Sequence, residues 1–226
     1  EMEAPAGYVK SDECFDVDAS YQGDDVEVIE VEAEFANYPT KLEISKTDIT
    51  GEHELKGAKP SIIDEKGNVV YSWVSDGKTH VIERIPVGKY ILREETAPYG
   101  YKIANDVEFE VTETEEIQKV SMKDELVNGK IIIDKTDEYT KKGIAGVEFE
   151  IRDKDGNVIE KLVTDKNGHA ESGELPIGVF EDGEFVEDIK YYVVETKAAE
   201  GYILDETVHE VVLQYDDAAP DVVTYT

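Results

Sequence analysis

Apolar and polar residues alternate along most of the chain with a period of two. The pattern is clearest in Lys41-Leu42-Glu43-Ile44-Ser45, Lys89-Tyr90-Ile91-Leu92-Arg93, Val107-Glu108-Phe109-Glu110-Val111 and Val147-Glu148-Phe149-Glu150-Ile151. A strand sends successive side chains to opposite faces, so this period predicts strands with one buried face. Between the runs stand Lys66-Gly67-Asn68, Asp76-Gly77, Asp155-Gly156-Asn157 and Asn167-Gly168. Gly and Asn supply the positive φ that tight hairpin turns need. No long stretch carries a helical stripe. Many short strands joined by regular turns predict an all-β chain built as a sandwich or barrel.

A set of landmarks occurs twice in the same order. Ile44-Ser45-Lys46-Thr47-Asp48 matches Ile133-Asp134-Lys135-Thr136-Asp137, and Leu55-Lys56-Gly57-Ala58 matches Ile144-Ala145-Gly146-Val147. Ile85-Pro86-Val87-Gly88 matches Leu175-Pro176-Ile177-Gly178, and Tyr90-Ile91-Leu92-Arg93-Glu94 matches Tyr191-Tyr192-Val193-Val194-Glu195. Ala97-Pro98-Tyr99-Gly100-Tyr101 then matches Ala198-Ala199-Glu200-Gly201-Tyr202. The N-terminus repeats only the last of these, in Glu1-Met2-Glu3-Ala4-Pro5-Ala6-Gly7-Tyr8. The expected organisation is therefore 1–40 as the close of a preceding module, 41–126 as a complete module and 127–226 as another. The last is expected to carry a longer acidic loop, Val179 to Glu187. Both ends of the chain look like cuts in something longer.

Charge narrows the partners. The 23 Lys and Arg against 54 Asp and Glu leave a net charge of −31, a field that repels nucleic acid and anionic membranes. Disorder, the other meaning of high charge, does not fit a chain that is 40% apolar with regular alternation and 13 Tyr. No apolar run is long enough to span a membrane. The single cysteine, Cys14, cannot form an internal disulfide. The modules must be held together in some other way.

Three residue types recur at fixed landmarks: a Lys in the first strand (Lys46, Lys135), a Glu after a Tyr in a late strand (Glu94, Glu195, and Glu1 by its Ala-Pro landmark), and an Asp or Asn in the last strand (Asp124, Asn37). Lys46 shares its face of the alternating strand with Leu42 and Ile44, so it points inward and needs a partner. The series of motifs resembles the Cna-B type module of Gram-positive surface adhesins and pilus backbones. That resemblance implies tandem Ig-like or transthyretin-like β-sandwich modules, each closed by an intramolecular Lys–Asp/Asn isopeptide bond. It implies Lys46 as nucleophile, Asp124 as electrophile and Glu94 as proton shuttle. In the last module it implies Lys135 and Glu195, with no acceptor in this chain. In the leading fragment it implies Glu1 and Asn37, with no Lys. Pro60 stands where the family usually has an aromatic residue, and Ala199 replaces the usual Pro.

Physics agrees with that assignment. An amine attacks only when neutral, and a carboxyl accepts attack only when it is not a carboxylate; a dry interior favours both neutral forms. A protonated Glu between them can polarise the carbonyl and carry the proton. The expected role is a cell-wall-attached extracellular stalk or shaft segment whose partners are neighbouring modules of the same protein. The second reading is an adhesin module that binds a host matrix protein or glycan. An enzyme such as a carboxylate-pair glycosidase fits poorly, because the Glu recurs in each copy. No cofactor is expected. Cys14 could form a thioester with a Gln such as Gln22, but a lone thiol is the simpler reading. Asp153-Lys154-Asp155-Gly156-Asn157 lacks a closing Glu and reads as a hairpin turn rather than a Ca²⁺ loop. The four His lack zinc spacing. Trp73 reads as core or as a shield for the bond.

Overall fold

A computed structural model describes residues 1–17, 20, 32, 34, 36–215 and the backbone of 223–225. Every regular element among them is a strand. The middle module contains β1 (Lys41–Asp48), β2 (Lys59–Asp64), β3 (Val69–Ser72), β4 (His80–Glu83), β5 (Gly88–Thr96), β6 (Val107–Val111) and β7 (Ile117–Asp124). They form two sheets, β4-β1-β7 and β3-β2-β5-β6. The last module contains β8 (Asn128–Asp134), β9 (Glu148–Arg152), β10 (Val158–Val163), β11 (His169–Glu171), β12 (Leu175–Pro176), β13 (Gly178–Glu181), β14 (Glu184–Asp188), β15 (Lys190–Lys197), β16 (Val208–Val212) and β17 (Val223–Tyr225). Its sheet β10-β9-β15-β16 matches the second sheet of the middle module, and β8 stands between β11 and β12 on one side and β17 on the other.

Each pair of sheets closes over its own apolar core. Leu42, Ile44, Ile62, Ile82, Ile85, Leu92, Val111 and Met122 fill the middle module. Val127, Ile131, Val147, Phe149, Ile151, Tyr191, Val193 and Val211 fill the last. These are the inward members of the alternating runs, so the period of two is what builds the sandwich. The expectation of an all-β, tandem-sandwich chain holds.

The landmarks recur because they make the same backbone bonds. Leu55 N–H donates to Lys46 C=O at 2.8 Å, and Ile144 N–H donates to Lys135 C=O at 2.9 Å. Gly57 N–H bonds Ser75 C=O as Gly146 N–H bonds Thr164 C=O, both at 2.9 Å. The Ser75 and Thr164 hydroxyls in turn accept the N–H of Ala58 and Val147, each at 3.0 Å. Asp64, Asp153 and Asp165 each fold a hairpin loop around one carboxylate oxygen, which accepts the backbone N–H four residues on at 2.8–2.9 Å. For Asp153 the hairpin-turn expectation therefore describes the local structure.

In the middle module the first and last strands are parallel neighbours, with Lys46 opposite Met122 and Asp48 opposite Asp124. In the last module β17 runs parallel to β8 in the same way, with Tyr225 opposite Ile131. Two expectations need correction. The stretch Val179–Glu187 is not an open loop but the β13–β14 hairpin. Lys135 is not inside the first strand: β8 ends at Asp134, and the Lys135 N–H bonds Gly168 C=O at 2.8 Å.

Candidate functional site

Three strands from both sheets bring Lys46, Glu94 and Asp124 together. β1 is buried at Leu42, Ile44 and Lys46 in turn, so its alternation carries the amine into the core. β7 ends with Met122 and Asp124 inward, and β5 supplies Glu94 from the facing sheet. Lys46 is 3% exposed, Glu94 4% and Asp124 1%. Lys46 Nζ lies 2.9 Å from Glu94 Oε1 and in direct contact with Asp124 Oδ1. The sequence thus named all three members of a cluster whose first and last residues are 78 positions apart.

Three charges in a dry site cannot all be compensated, because one ammonium faces two carboxylates. Burial pushes the Asp124 carboxyl up from its ordinary value of 3.8 to about 7; Lys46 pulls the other way, and Glu94 adds to the rise. Burial therefore shifts Asp124 towards its neutral form. Two supports escaped sequence reasoning. The Ala104 N–H donates to Glu94 Oε2 at 2.7 Å and fixes that carboxyl. The Glu54 carboxylate accepts the Lys46 N–H at 3.0 Å and the Ser45 hydroxyl, pinning the strand at the lysine. A backbone donor leaves no mark in a sequence, so Ala104 had no signal to read.

The last module brings Lys135 and Glu195 together, with Lys135 Nζ 2.7 Å from Glu195 Oε2. The surroundings differ. The Lys135 side chain is 26% exposed while that of Glu195 is 2%. Glu195 Oε1 is buried without a hydrogen-bond partner among the described residues. The pair opens into a space of about 290 Å³ whose walls include Asp205, Thr207 and His209. By the repeat, Asp205 occupies the place of Ala104. Its carboxyl is held below the ordinary range, first by the Thr207 hydroxyl and amide and further by the positive charge of Lys135.

In the leading fragment Asn37 Nδ2 donates to Glu1 Oε1 at 3.0 Å, so these two predicted partners also meet. They do so in an exposed setting, where Ser11 N–H also bonds Glu1. The turn around them copies the middle module: Thr40 N–H bonds Gly7 C=O at 3.0 Å as Val127 N–H bonds Gly100 C=O at 2.8 Å.

The remaining candidates are placed elsewhere. Cys14 is exposed, with its Sγ 3.7 Å from Asp12 C=O, and Gln22 lies outside the described residues. Trp73 is half-buried and stacks on His80 at 4.3 Å. Among the described residues no group of three His, Cys, Asp or Glu gathers where it could hold a metal ion.

A family profile described as SpaA, prealbumin-like fold domain, matches residues 40–126 and 129–226. No curated protein matches the chain. Among solved structures, the Bacillus anthracis TIE protein aligns with 99% of this chain at 29% identity and a TM-score of 0.56. The chain spans 39% of that protein's length. BcpA, the major pilin subunit of Bacillus cereus, aligns with 82% of this chain and 97% of its own at 13% identity and a TM-score of 0.34. The shaft pilin SpaA from Lactobacillus rhamnosus GG aligns with 82% of this chain and 96% of its own at 15% identity and a TM-score of 0.35. Two family matches, two sandwiches of the same strand order and two copies of the Lys–Glu pair agree: the chain belongs to the SpaA family of prealbumin-like fold domains.

Proposed function

We propose that this chain is a shaft or stalk segment of a Gram-positive cell-surface protein and that its middle module crosslinks itself through Lys46 and Asp124. The observation that carries the reading is the burial of one amine in contact with two carboxyls, brought together by the first strand, the last strand and β5 of the facing sheet. Neutral Lys46 Nζ attacks Asp124 Cγ. An N–C bond forms, the C–O bond to one carboxyl oxygen breaks, and that oxygen leaves as water. Glu94 takes a proton from the attacking nitrogen and delivers it to the departing hydroxyl. The strands hold the reactants in place, so the step needs no external catalyst. It happens once per module and is not turnover. Glu195 is placed for the same role toward Lys135 once an acceptor is supplied, and Glu1 toward Asn37 once a lysine is supplied.

Closing a loop of 78 residues stabilises the module by about 4–5 kcal/mol on the loop-entropy model. A pull on both ends enters through β1 and leaves through β7, so the link carries load past the core. Other parts of the role rest on family likeness: partnership with neighbouring modules and a place at the cell wall. The second reading, a host protein or glycan bound at Val179–Glu187, has less support because that hairpin already packs on the middle module.

Intact mass tests the proposal. The folded chain is expected one water lighter than its sequence, and Glu94→Gln is expected at full mass. A wild-type chain that keeps full mass after prolonged folding overturns the crosslink.

A further inference from the structure

The β13–β14 hairpin has no counterpart in the middle module. There, Ile85-Pro86-Val87 leads straight into β5 at Gly88. In the last module the matching Leu175-Pro176-Ile177 leads into the hairpin, and β15 begins only at Lys190. The hairpin forms a two-stranded sheet of its own. Asp182 (φ 50°) and Gly183 (φ 81°) turn it, the positive pair that a two-residue type I′ turn requires.

Its tip and inner face lie on the middle module. The Tyr101 hydroxyl donates to Gly183 C=O at 3.1 Å. Phe180 meets the Tyr101 ring edge-on at 5.4 Å, and Phe185 meets Tyr99 edge-on at 4.9 Å. Glu184 pairs with Lys56. Two glycines mark how close the approach is. A Cβ on Gly183 would stand 2.7 Å from Leu55 Cδ2, and one on Gly100 would overlap the Phe180 ring. Burial pushes the Tyr101 phenol up to about 12.

The repeat supplies internal controls. At the first joint, Gly7 of the Ala-Pro-x-Gly-Tyr turn presses on the Arg84 backbone, and the Arg84 guanidinium lies 5.9 Å from the Tyr8 ring centre. Arg84 directly precedes Ile85-Pro86, and Phe180 directly follows the Leu175-Pro176-Ile177-Gly178 corner and Val179. In both joints the Gly-Tyr turn of one module receives the neighbourhood of the next module's Pro corner. Gly201 has open space around it, and Tyr202 is 46% exposed against 2% for Tyr101.

We infer that the Gly-Tyr turn is the socket by which each module seats residues flanking the next module's Pro corner, and that the β13–β14 insert makes the middle-to-last joint a clamp that moves as one body. Small polar interfaces leave neighbouring domains free to move, whereas a packed apolar one does not. This joint has five aromatic rings, Tyr215 meeting Tyr99 edge-on at 4.9 Å, and a buried Leu55. It works whether or not Lys46 is crosslinked.

The test uses the full chain with Cys14→Ser and spin labels at Lys66→Cys and Lys154→Cys, two exposed loop tips in different modules. One narrow distance distribution is expected. Gly183→Val, which drives a side chain into Leu55, is expected to widen it roughly twofold or more. The fold-safe pair Tyr101→Phe and Lys56→Glu, which removes one hydrogen bond and sets like charges together, widens it less. Intact mass stays one water light in each variant, which separates a failed joint from a failed crosslink. A broad distribution in the parent chain, or a width unmoved by both variants, overturns the clamp.

Discussion

The two lysine sites have the same ancestry of landmarks and opposite solvation. Lys46 is 3% exposed and touches two buried carboxyls, whereas the Lys135 side chain is 26% exposed and touches one. Lys46 lies within β1, and β7 pairs alongside it; Lys135 lies just past the end of β8. The wall that is Ala104 in the middle module is Asp205 in the last. The difference teaches that residue type alone does not set how dry a buried Lys–Glu pair is. The neighbouring strand must exclude water and bring the acceptor, whereas a carboxylate at the Ala104 place, such as Asp205, sets a negative charge beside the amine.

The largest way to break the contrast is to remove the amine. Lys46→Ala is expected to lower unfolding free energy by about 4–5 kcal/mol through the lost loop closure, seen as a fall in the denaturation midpoint. It also leaves two buried carboxyls without a cation, which adds to the loss. In single-molecule pulling the parent middle module is expected to resist extension and Lys46→Ala to extend. Equal extension of the two would refute the load-bearing role.

Next in size is the gain expected in the last module. Lys46 faces Met122, and Asp124 lies two residues further on. Following β17 in register from Tyr225 opposite Ile131, the place facing Lys135 is position 229 and the acceptor place is position 231. A chain extended with Asn at position 231 is expected to lose one molecule of ammonia in addition to the water lost by the middle module, and the same chain with Ala there to lose only the water. Asp205→Ala in the extended chain is expected to speed that step severalfold, measured by quenched mass spectrometry. An unchanged rate would remove Asp205 from the explanation.

A smaller effect is expected from pH. Burial raises the Asp124 carboxyl to about 7, so its protonated share falls as pH rises through that value. Crosslinking of freshly refolded chain should therefore slow as pH rises through that value, since a carboxylate does not accept an amine. The sign for stability follows from a folded value above the ordinary 3.8. The uncrosslinked precursor gains most from this group below about pH 4 and loses that gain as pH rises towards 7. A rate that climbs steadily above pH 7 would contradict the assignment of Asp124 as the group that must be neutral.

Much of this was legible in the residues. Alternation placed Lys46 on the face of Leu42 and Ile44, and the repeat then picked out Glu94 and Asp124 across a span no local rule covers. The hairpin was missed although its signal was present. Asp182-Gly183 stands between Val179-Phe180 and Phe185-Val186, a turn pair flanked by strand formers. The acidic residues among them suggested an open loop, but their alternation leaves the aromatic face free to pack. The end of β8 before Lys135 had no local mark, because strand length depends on which neighbours pair. The joints were hidden in landmarks that looked like mere punctuation, the Gly-Tyr turn and the Pro corner.

The parallel pairing of β1 with β7 has one further outcome once Lys46 and Asp124 are joined. The continuous covalent thread through the module then runs from Lys41 to Lys46, across the side chains, and out after Asp124. The 77 residues between the joined pair lie on a side branch of that thread. A protease that nicks the backbone at an exposed turn such as Lys66-Gly67 would open the branch, and the two ends of the module would still belong to one molecule.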